Sequence, residues 1–348
     1  MIPLEKLTDR PVASSRPLYE IMENVEKYRL LTAALDYDLF EYLKTPKSAE
    51  TVSIELGTNS RLTEKLCNTL AAMGLLLKTG SCYCNSSISN TYLVCSSPFY
   101  QMHLLNLERE SRERRWPLFS KALKEGSLKA ERDYGGAFTH DFLLAMAEGA
   151  LRGGLQKIVD VLGSMPDFQK ARTLLDLGGG HALYAIAFAQ TNPQLEAYVL
   201  DFPHVIMSVT KQVISEYGMT NRVHTIPADF LKDDLGGKYD IIFASDALYK
   251  ANPQLSIMLQ KVASSLNKDG LFISKHWFLN DEKSSPLTAV LFDLKMSIEQ
   301  YGDVPHNLFT LGEFISALNQ TGFQLKNVTD ISGQHDPSKL IIAQRCSS

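Results

Sequence analysis

The sequence predicts an α/β chain in two parts, a helical N-terminal domain followed by a parallel, doubly wound sheet. Its 348 residues exceed the usual size of one domain. Apolar residues keep helical spacing in the N-terminal part, whereas beyond residue 162 short β-prone runs alternate with helices. Those runs are TLLDLGGG, EAYVLDF, VHTIPADF, YDIIFASDA and GLFISKHWF. Strands that alternate with helices form a parallel sheet through right-handed crossovers.

Residues 1–16 are polar, hold two prolines and read as an N-terminal arm. From Pro17 the pattern is helical. In YRLLTAALDYDLFEYL, Leu30, Ala33, Ala34, Tyr37 and Leu39 follow helical spacing and predict a buried stripe, with more apolar surface than one small domain covers. Residues 48–56 and 60–76 read as two further helices, the second with Ser60 as its N-cap. LLLKTGSCYCNSSISNTYLV then passes from apolar to turn-rich to β-prone, which suits a hairpin. Helices followed by a hairpin make residues 17–98 a helical domain of winged-helix type. That fold commonly binds DNA, but the candidate recognition helix RLTEKLCNTLAAMG offers phosphates only Arg61 and Lys65, so dimerisation is the preferred role. Residues 99–165 form a helical bridge and residues 166–348 the sheet domain. Its last two runs, FQLKNVTDI and KLIIAQR, are joined by a short polar stretch and close a seven-stranded sheet as an antiparallel hairpin.

Charge and cysteine usage exclude several function classes. A net charge of -4 and a pI near 6.1 give no basic surface for a nucleic-acid partner. The one dense basic stretch, ERESRERRW, sets Arg109, Arg112, Arg114 and Arg115 among Glu108, Glu110 and Glu113, and reads as a salt-bridged, solvated helix face. Cys67, Cys82, Cys84, Cys95 and Cys346 are odd in number behind an N-terminus without signal character, which points to reduced thiols in a cytoplasmic protein. Cys82 and Cys84 lack a second Cys or His pair at zinc-site spacing, so no metal is expected. No apolar run approaches the roughly 20 residues that span a bilayer, so no membrane partner is expected either.

The chemistry gathers at strand ends. Leu174 to Gly180, LLDLGGG, ends a strand and opens a helix, where a doubly wound sheet binds its nucleotide-like ligand. The full dinucleotide form G-x-G-x-x-G is absent, because Leu183 stands at the third glycine. Asp176, just before the glycines, suits a cationic amino-acid group better than a pyrophosphate. About 20 residues on, the second strand ends at Asp201, an acceptor for ribose hydroxyls. The third ends in Ala228, Asp229 and Phe230, a carboxylate for an adenine amino group and a ring for stacking. Asp229 alone also reads as a helix cap.

LLDLGGG, LDFPHV and ADF in this order, with FLLAM before them and FDLKM after, resemble the dimeric small-molecule O-methyltransferases, the family of the acetylserotonin, caffeate and hydroxyneurosporene enzymes. The resemblance runs over nearly the whole chain beyond residue 18. It implies a Rossmann-like class I methyltransferase domain behind a winged-helix dimerisation domain, a homodimer, and a small-molecule acceptor enclosed between the two domains. It also implies S-adenosylmethionine held by Asp176, Gly178, Gly180, Asp201, Asp229, Phe230 and Ser245. Met146, Met296 and Asp246 would line the acceptor pocket. For either methionine, helix core is the alternative.

The sequence departs from the family at two places. Ala182 stands where another glycine is usual. After the fourth strand the family carries His-Asp-Trp, whose histidine is the general base, and this chain reads Tyr249, Lys250, Ala251. A tyrosine is a poor base near neutral pH but can orient an acceptor. His276, at the end of the fifth strand where the family usually has a glutamate, has the basicity and location of a shifted base. His306, in GDVPHNLF, is a second candidate that a loop position would normally leave solvated. The expected function is therefore methyl transfer to a small molecule, most simply to a hydroxyl. The alternatives are a relative that binds the cofactor without this chemistry and a winged-helix DNA-binding regulator.

Overall fold

Where the sequence places TLLDLGGG, the chain forms a central strand whose two neighbours run parallel to it and end at the same edge. The computed structural model describes residue 8 and residues 10–130, 135–301, 305–333 and 336–346. Much of the expected N-terminal arm, residues 1–7 and 9, lies outside the described residues. The chain divides into two compact units, Met1–Met102 and His103–Ser348.

In the first unit, Pro17 sits in the opening turn of the helix Arg16–Asp36, where its missing N–H costs nothing. Ser48 Oγ accepts the Thr51 N–H at 3.1 Å and starts the helix Ala49–Leu56. The next helix, Ser60–Ala72, is capped by Asn59 and not by Ser60. Asn59 Oδ1 accepts the Leu62 N–H at 3.1 Å, and Ser60 is already helical. Gly74, at φ +76°, turns the chain before residue 76 is reached. Strands β1 (Lys47–Ser48), β2 (Leu76–Thr79) and β3 (Cys82–Asn85) form an antiparallel sheet in the order β1-β3-β2, so the expected hairpin is β2–β3. Ala34, Leu39, Phe40, Leu43, Leu70 and Tyr83 fill the core. Tyr37, expected on the buried stripe, is exposed because the helix ends at Asp36. The apolar surplus lies earlier, where Leu18, Tyr19, Ile21, Met22 and Val25 are each more than half exposed.

In the second unit the bridge is a series of helices, Met102–Glu110, Phe119–Glu125, His140–Ala150, Gly154–Gly163 and Pro166–Lys170, with a short strand β4 (Leu128–Lys129) among them. The sheet follows with β5 (Thr173–Leu177), β6 (Glu196–Asp201), β7 (Val223–Pro227), β8 (Tyr239–Ser245) and β9 (Leu266–Trp277), all parallel. Strand β10 (Glu299–Gln300) pairs with β4, and the hairpin β11 (Phe323–Asp330) and β12 (Ser338–Arg345) completes the order β11-β12-β9-β8-β5-β6-β7. Leu174, Leu175 and Leu177 are buried in succession, as befits a strand covered on both faces. On one face Met258, Leu259, Phe314 and Leu318 pack on Leu175, Ile242 and Phe272. On the other, Ile158, Leu162, Tyr184 and Phe188 pack on Leu174, Ile241, Phe243 and Ile273. The chain steps outward from β5 to β7 and then returns to β8, so the crevice at the carboxyl ends of β5 and β8 is the topological switch point where such sheets bind ligands. Among the described residues no helix is long and apolar enough to cross a membrane.

Candidate active site

The turn after β5 is shaped by close approach. A Cβ on Gly179 would stand 2.6 Å from Asp176 Cγ and 2.9 Å from Val199 Cγ1, so only glycine passes there. Gly178 and Gly180 take φ +70° and +40°, and Ala182 adopts the same left-handed region at φ +63°, fully buried. Asp176 sits beneath this turn. It accepts the Ala185 N–H, while its Oδ2 is buried with no hydrogen-bond partner. Burial, with a smaller contribution from Asp201, pushes its pKa up to about 7. His181 Nδ1 accepts the Leu183 N–H at 3.1 Å, and burial holds this imidazole neutral, with its pKa lowered to about 4.

Asp201, at the end of β6, ties the turn to its neighbour. Its Oδ2 accepts the Gly180 N–H at 2.9 Å and its Oδ1 the Phe202 N–H at 2.7 Å, while burial raises its pKa to about 6. Asp229 serves its own turn, with Oδ1 accepting the Leu231 N–H at 3.0 Å and Oδ2 meeting Lys232 Nζ at 3.0 Å. The Phe230 ring lies 3.5 Å from where a Gly178 Cβ would be. These residues fit S-adenosylmethionine. The unpaired Oδ2 of Asp176 suits an ammonium group, the glycine turn admits the ligand backbone, and each Asp201 oxygen keeps a lone pair for a hydroxyl.

A second cluster stands at the ends of β8 and β9. Asp246 takes φ +52°, a strained conformation for a side-chain-bearing residue. Lys275 Nζ donates to Asp246 Oδ2, and the Tyr249 hydroxyl donates to Oδ1 at 2.5 Å. Lys275 is buried. Burial alone would lower its pKa, but Asp246, Tyr184 and Asp336, whose Oδ2 is 3.6 Å away, hold it raised. Burial first, then Asp246, lift the Tyr249 phenol well above its usual range. The Tyr184 hydroxyl is hydrogen-bonded to Ser245, joining the two clusters. Trp277 Nε1 donates to Asp336 Oδ1 at 2.6 Å, and its indole meets the Phe292 ring edge-on at 5.1 Å.

His276 comes beside Tyr249, with ring centroids 4.1 Å apart, but it points into the core. It has no exposed surface, packs against Phe278, Phe309 and Phe314, and shares a hydrogen bond between Nδ1 and the Trp277 carbonyl at 2.7 Å. Burial lowers its pKa to about 4. This surrounding disfavours a role in taking a proton from an acceptor. His306 is not solvated as its loop position implied. Its ring lies 5.3 Å from that of Tyr249, and its Nδ1 is 3.4 Å from Asp293 Oδ1. Met146 and Met296 are half-buried, on the helices His140–Ala150 and Leu287–Ile298.

Sequence reasoning missed three residues. Gly179 is the tightest of the three glycines, which a GGG run does not reveal. Lys275 could have been noticed as a cation inside the apolar run FISKHWF, where an unpaired charge is not tolerated. Arg115 was read as solvated, yet only 11% of its side chain is exposed.

Comparisons with known proteins identify the family. The O-methyltransferase domain model matches residues 142–324, and the O-methyltransferase dimerisation domain model matches residues 19–95. An uncharacterized protein of Methanocaldococcus jannaschii is 31% identical over 329 residues, covering 90% of this chain and 85% of that protein. The 3-hydroxy-5-methyl-1-naphthoate 3-O-methyltransferase of Streptomyces sahachiroi is 25% identical, covering 82% of this chain and 84% of the relative. The crystal structure of human N-acetylserotonin methyltransferase in complex with SAM superposes with a TM-score of 0.81 at 20% identity, covering 97% of this chain and 100% of that one. The chain therefore belongs to the O-methyltransferase family, carries its dimerisation domain, and is an S-adenosylmethionine-dependent methyltransferase of small molecules.

Proposed function

We propose that the acceptor is a small aromatic molecule whose hydroxyl docks at the ends of β8 and β9, and that Asp246 takes its proton. The observation that carries this reading is the convergence of Lys275 and Tyr249 on one carboxylate. That carboxylate is held in a strained strand-end conformation and is itself 34% exposed. Tyr249, Trp277 and Phe292 supply flat apolar walls beside it. Bound S-adenosylmethionine supplies an activated methyl group. Asp176, Gly178, Gly180, Asp201, Asp229, Phe230 and Ser245 are the residues we assign to holding it. With the methyl group that S-adenosylmethionine would supply, the acceptor oxygen would be methylated, and Asp246 would hold the proton it gives up. Lys275 fixes one carboxylate oxygen and Tyr249 the other, so the remaining lone pairs are aimed rather than mobile. His276 then supports the Tyr249 ring instead of acting as the base.

Asp246→Asn should lower turnover by the roughly 10²- to 10⁴-fold expected of a positioned base, with cofactor affinity nearly unchanged by calorimetry. A melting curve guards against unfolding, since Lys275 loses a partner. Should Asp246→Asn keep its turnover while His276→Gln abolishes it, the base is His276 and our assignment is wrong.

We also infer a homodimer formed through the exposed apolar turns of the helix Arg16–Asp36, in a domain whose helix and hairpin order supports the winged-helix reading. Five free cysteines support a cytoplasmic location. The sparse cations of the helix Ser60–Ala72 support dimerisation over nucleic-acid binding.

A further inference from the structure

We propose that Asp336 is a positioning residue that takes over Lys275 when Asp246 accepts the proton of the methyl acceptor. This rests on the reading of Asp246 above and names the carboxylate that keeps its partner lysine paired.

Lys275 stands between two carboxylates from different elements. Its Nζ donates to Asp246 Oδ2 at the end of β8, and it lies 3.6 Å from Asp336 Oδ2, in the segment that joins β11 to β12. The first contact is a hydrogen bond and the second an ion pair without one. Only 7% of the lysine side chain is exposed, so its charge needs a counter-ion at every stage of a reaction. With both carboxylates ionised the group carries one excess negative charge. A proton arriving on Asp246 removes that excess, and it also neutralises the carboxylate to which Lys275 is bonded.

Other titratable groups here supply no negative charge near neutral pH. Burial pushes the phenol of Tyr184, on the helix Leu183–Thr191, up to about 12, and burial together with Asp246 lifts that of Tyr249 well above its usual range. His276, next along β9, is a neutral imidazole. Asp336 remains. Moving Nζ by about 0.8 Å would turn the 3.6 Å separation into a charge-assisted bond of about 2.8 Å.

Asp336 is fixed for this task. The register of β12 on β9 sets Ser338 against Trp277, which brings Asp336 beside the end of β9. Its Oδ1 accepts the Trp277 Nε1–H at 2.6 Å and the hydroxyl of the buried Ser338, and its carbonyl accepts the Gly333 N–H at 2.8 Å. A brace for the indole would need only Oδ1. The other oxygen is left toward Lys275. A Cβ on Gly154, the first residue of the helix Gly154–Gly163, would lie 3.5 Å from that Oδ2, and the positive end of a helix favours an ionised carboxylate there.

The test uses full-length protein carrying isotope-labelled lysine, read by NMR at Cε, with the Lys275 signal identified by its loss in Lys275→Met. Asp246→Asn stands in for the protonated carboxyl. In wild-type protein and in Asp246→Asn or Asp336→Asn alone, Lys275 should stay protonated through the ordinary lysine value of about 10.4. With both changes it should lose its proton below that value, because burial then acts without a carboxylate to oppose it. In urea unfolding, the double change should cost at least about tenfold more in the folding constant than the product of the single changes, and adding Lys275→Met should recover that loss. If Lys275 titrates as low in Asp246→Asn as in the double variant, or if the costs of the single changes simply multiply, the proposal is overturned. Should the double variant not fold, a folded triple variant carries the same conclusion and an unfolded one overturns it. If Lys275 keeps its charge in Asp246→Asn while that variant turns over like wild type, the exchange of partners stands, but the reading of Asp246 as proton acceptor fails and takes the role in turnover with it.

Discussion

Asp176, which we assign to the cofactor, shows how one buried carboxyl makes stability depend on pH. With its folded pKa raised to about 7, it stays protonated in the empty native state over a range where the unfolded chain ionises. The native state therefore holds its full relative stability below about pH 4 and loses it as pH rises toward 7, by on the order of 4 kcal/mol. Asp176→Asn removes this loss. Urea unfolding of the cofactor-free variant should show a stability gain over wild type that is small at pH 5 and greatest near pH 8, while cofactor affinity falls at every pH. A gain independent of pH would show that Asp176 is not the titrating group. The positions of Asp176, before the glycines, and of Asp201, at the end of the next strand, were legible in the sequence because each closes a β-prone run. The surroundings of His276 were not readable, for a simple reason. Its strand-end position was readable, but the face it occupies was not, and one step along β9 separates the core-facing His276 from Lys275, which meets Asp246.

At the scale of elements, the glycine turn makes the sharpest demand. Gly179→Ala forces Asp176 and Val199 to move, so it should cost at least tenfold in cofactor affinity, more than a mere change of backbone preference would. Ala182→Gly removes a side chain from a left-handed position and should change stability by no more than about 1 kcal/mol. A thermal melt and a cofactor titration of both variants check this ordering, which fails if Gly179→Ala binds normally. The sheet was readable because seven β-prone runs were separated by helices or a short turn, and each strand fell where its run predicted. Caps were read less accurately. Asn59 and Ser60 are both good N-caps, and only the backbone conformation of Asn59 decides between them. The burial of Arg115, at the end of the π-helical turn Ser111–Arg115, had no sequence signal, because such a turn leaves the helical spacing of charges nearly intact.

For the whole molecule, the exposed face of the helix Arg16–Asp36 sets the expected assembly. Leu18, Tyr19, Ile21, Met22 and Val25 form an exposed apolar surface, the face we propose a second copy covers. Light scattering at micromolar concentration should report a dimer, and the double change Ile21→Glu with Met22→Glu should shift it to monomer. A monomeric wild type, or a dimer that survives both glutamates, would place the interface elsewhere. The sequence indicated that the first helix had surplus apolar surface but put it too late in the helix, because Leu39, Phe40 and Leu43 turn inward to build the unit's own core.

The two tryptophans of the chain have different surroundings, Trp277 against Phe292 and Asp336 at the end of β9, and Trp116 against Phe119 in the helical bridge. The enzyme thus carries an optical ruler of its own. Replacing either indole with phenylalanine leaves a single emitter, and the Trp277 emitter should report an aromatic ligand docked at the ends of β8 and β9. An aromatic ligand that absorbs in the indole emission band and docks there should quench Trp277 more strongly than Trp116. The ratio would tell docking at the strand ends from binding elsewhere.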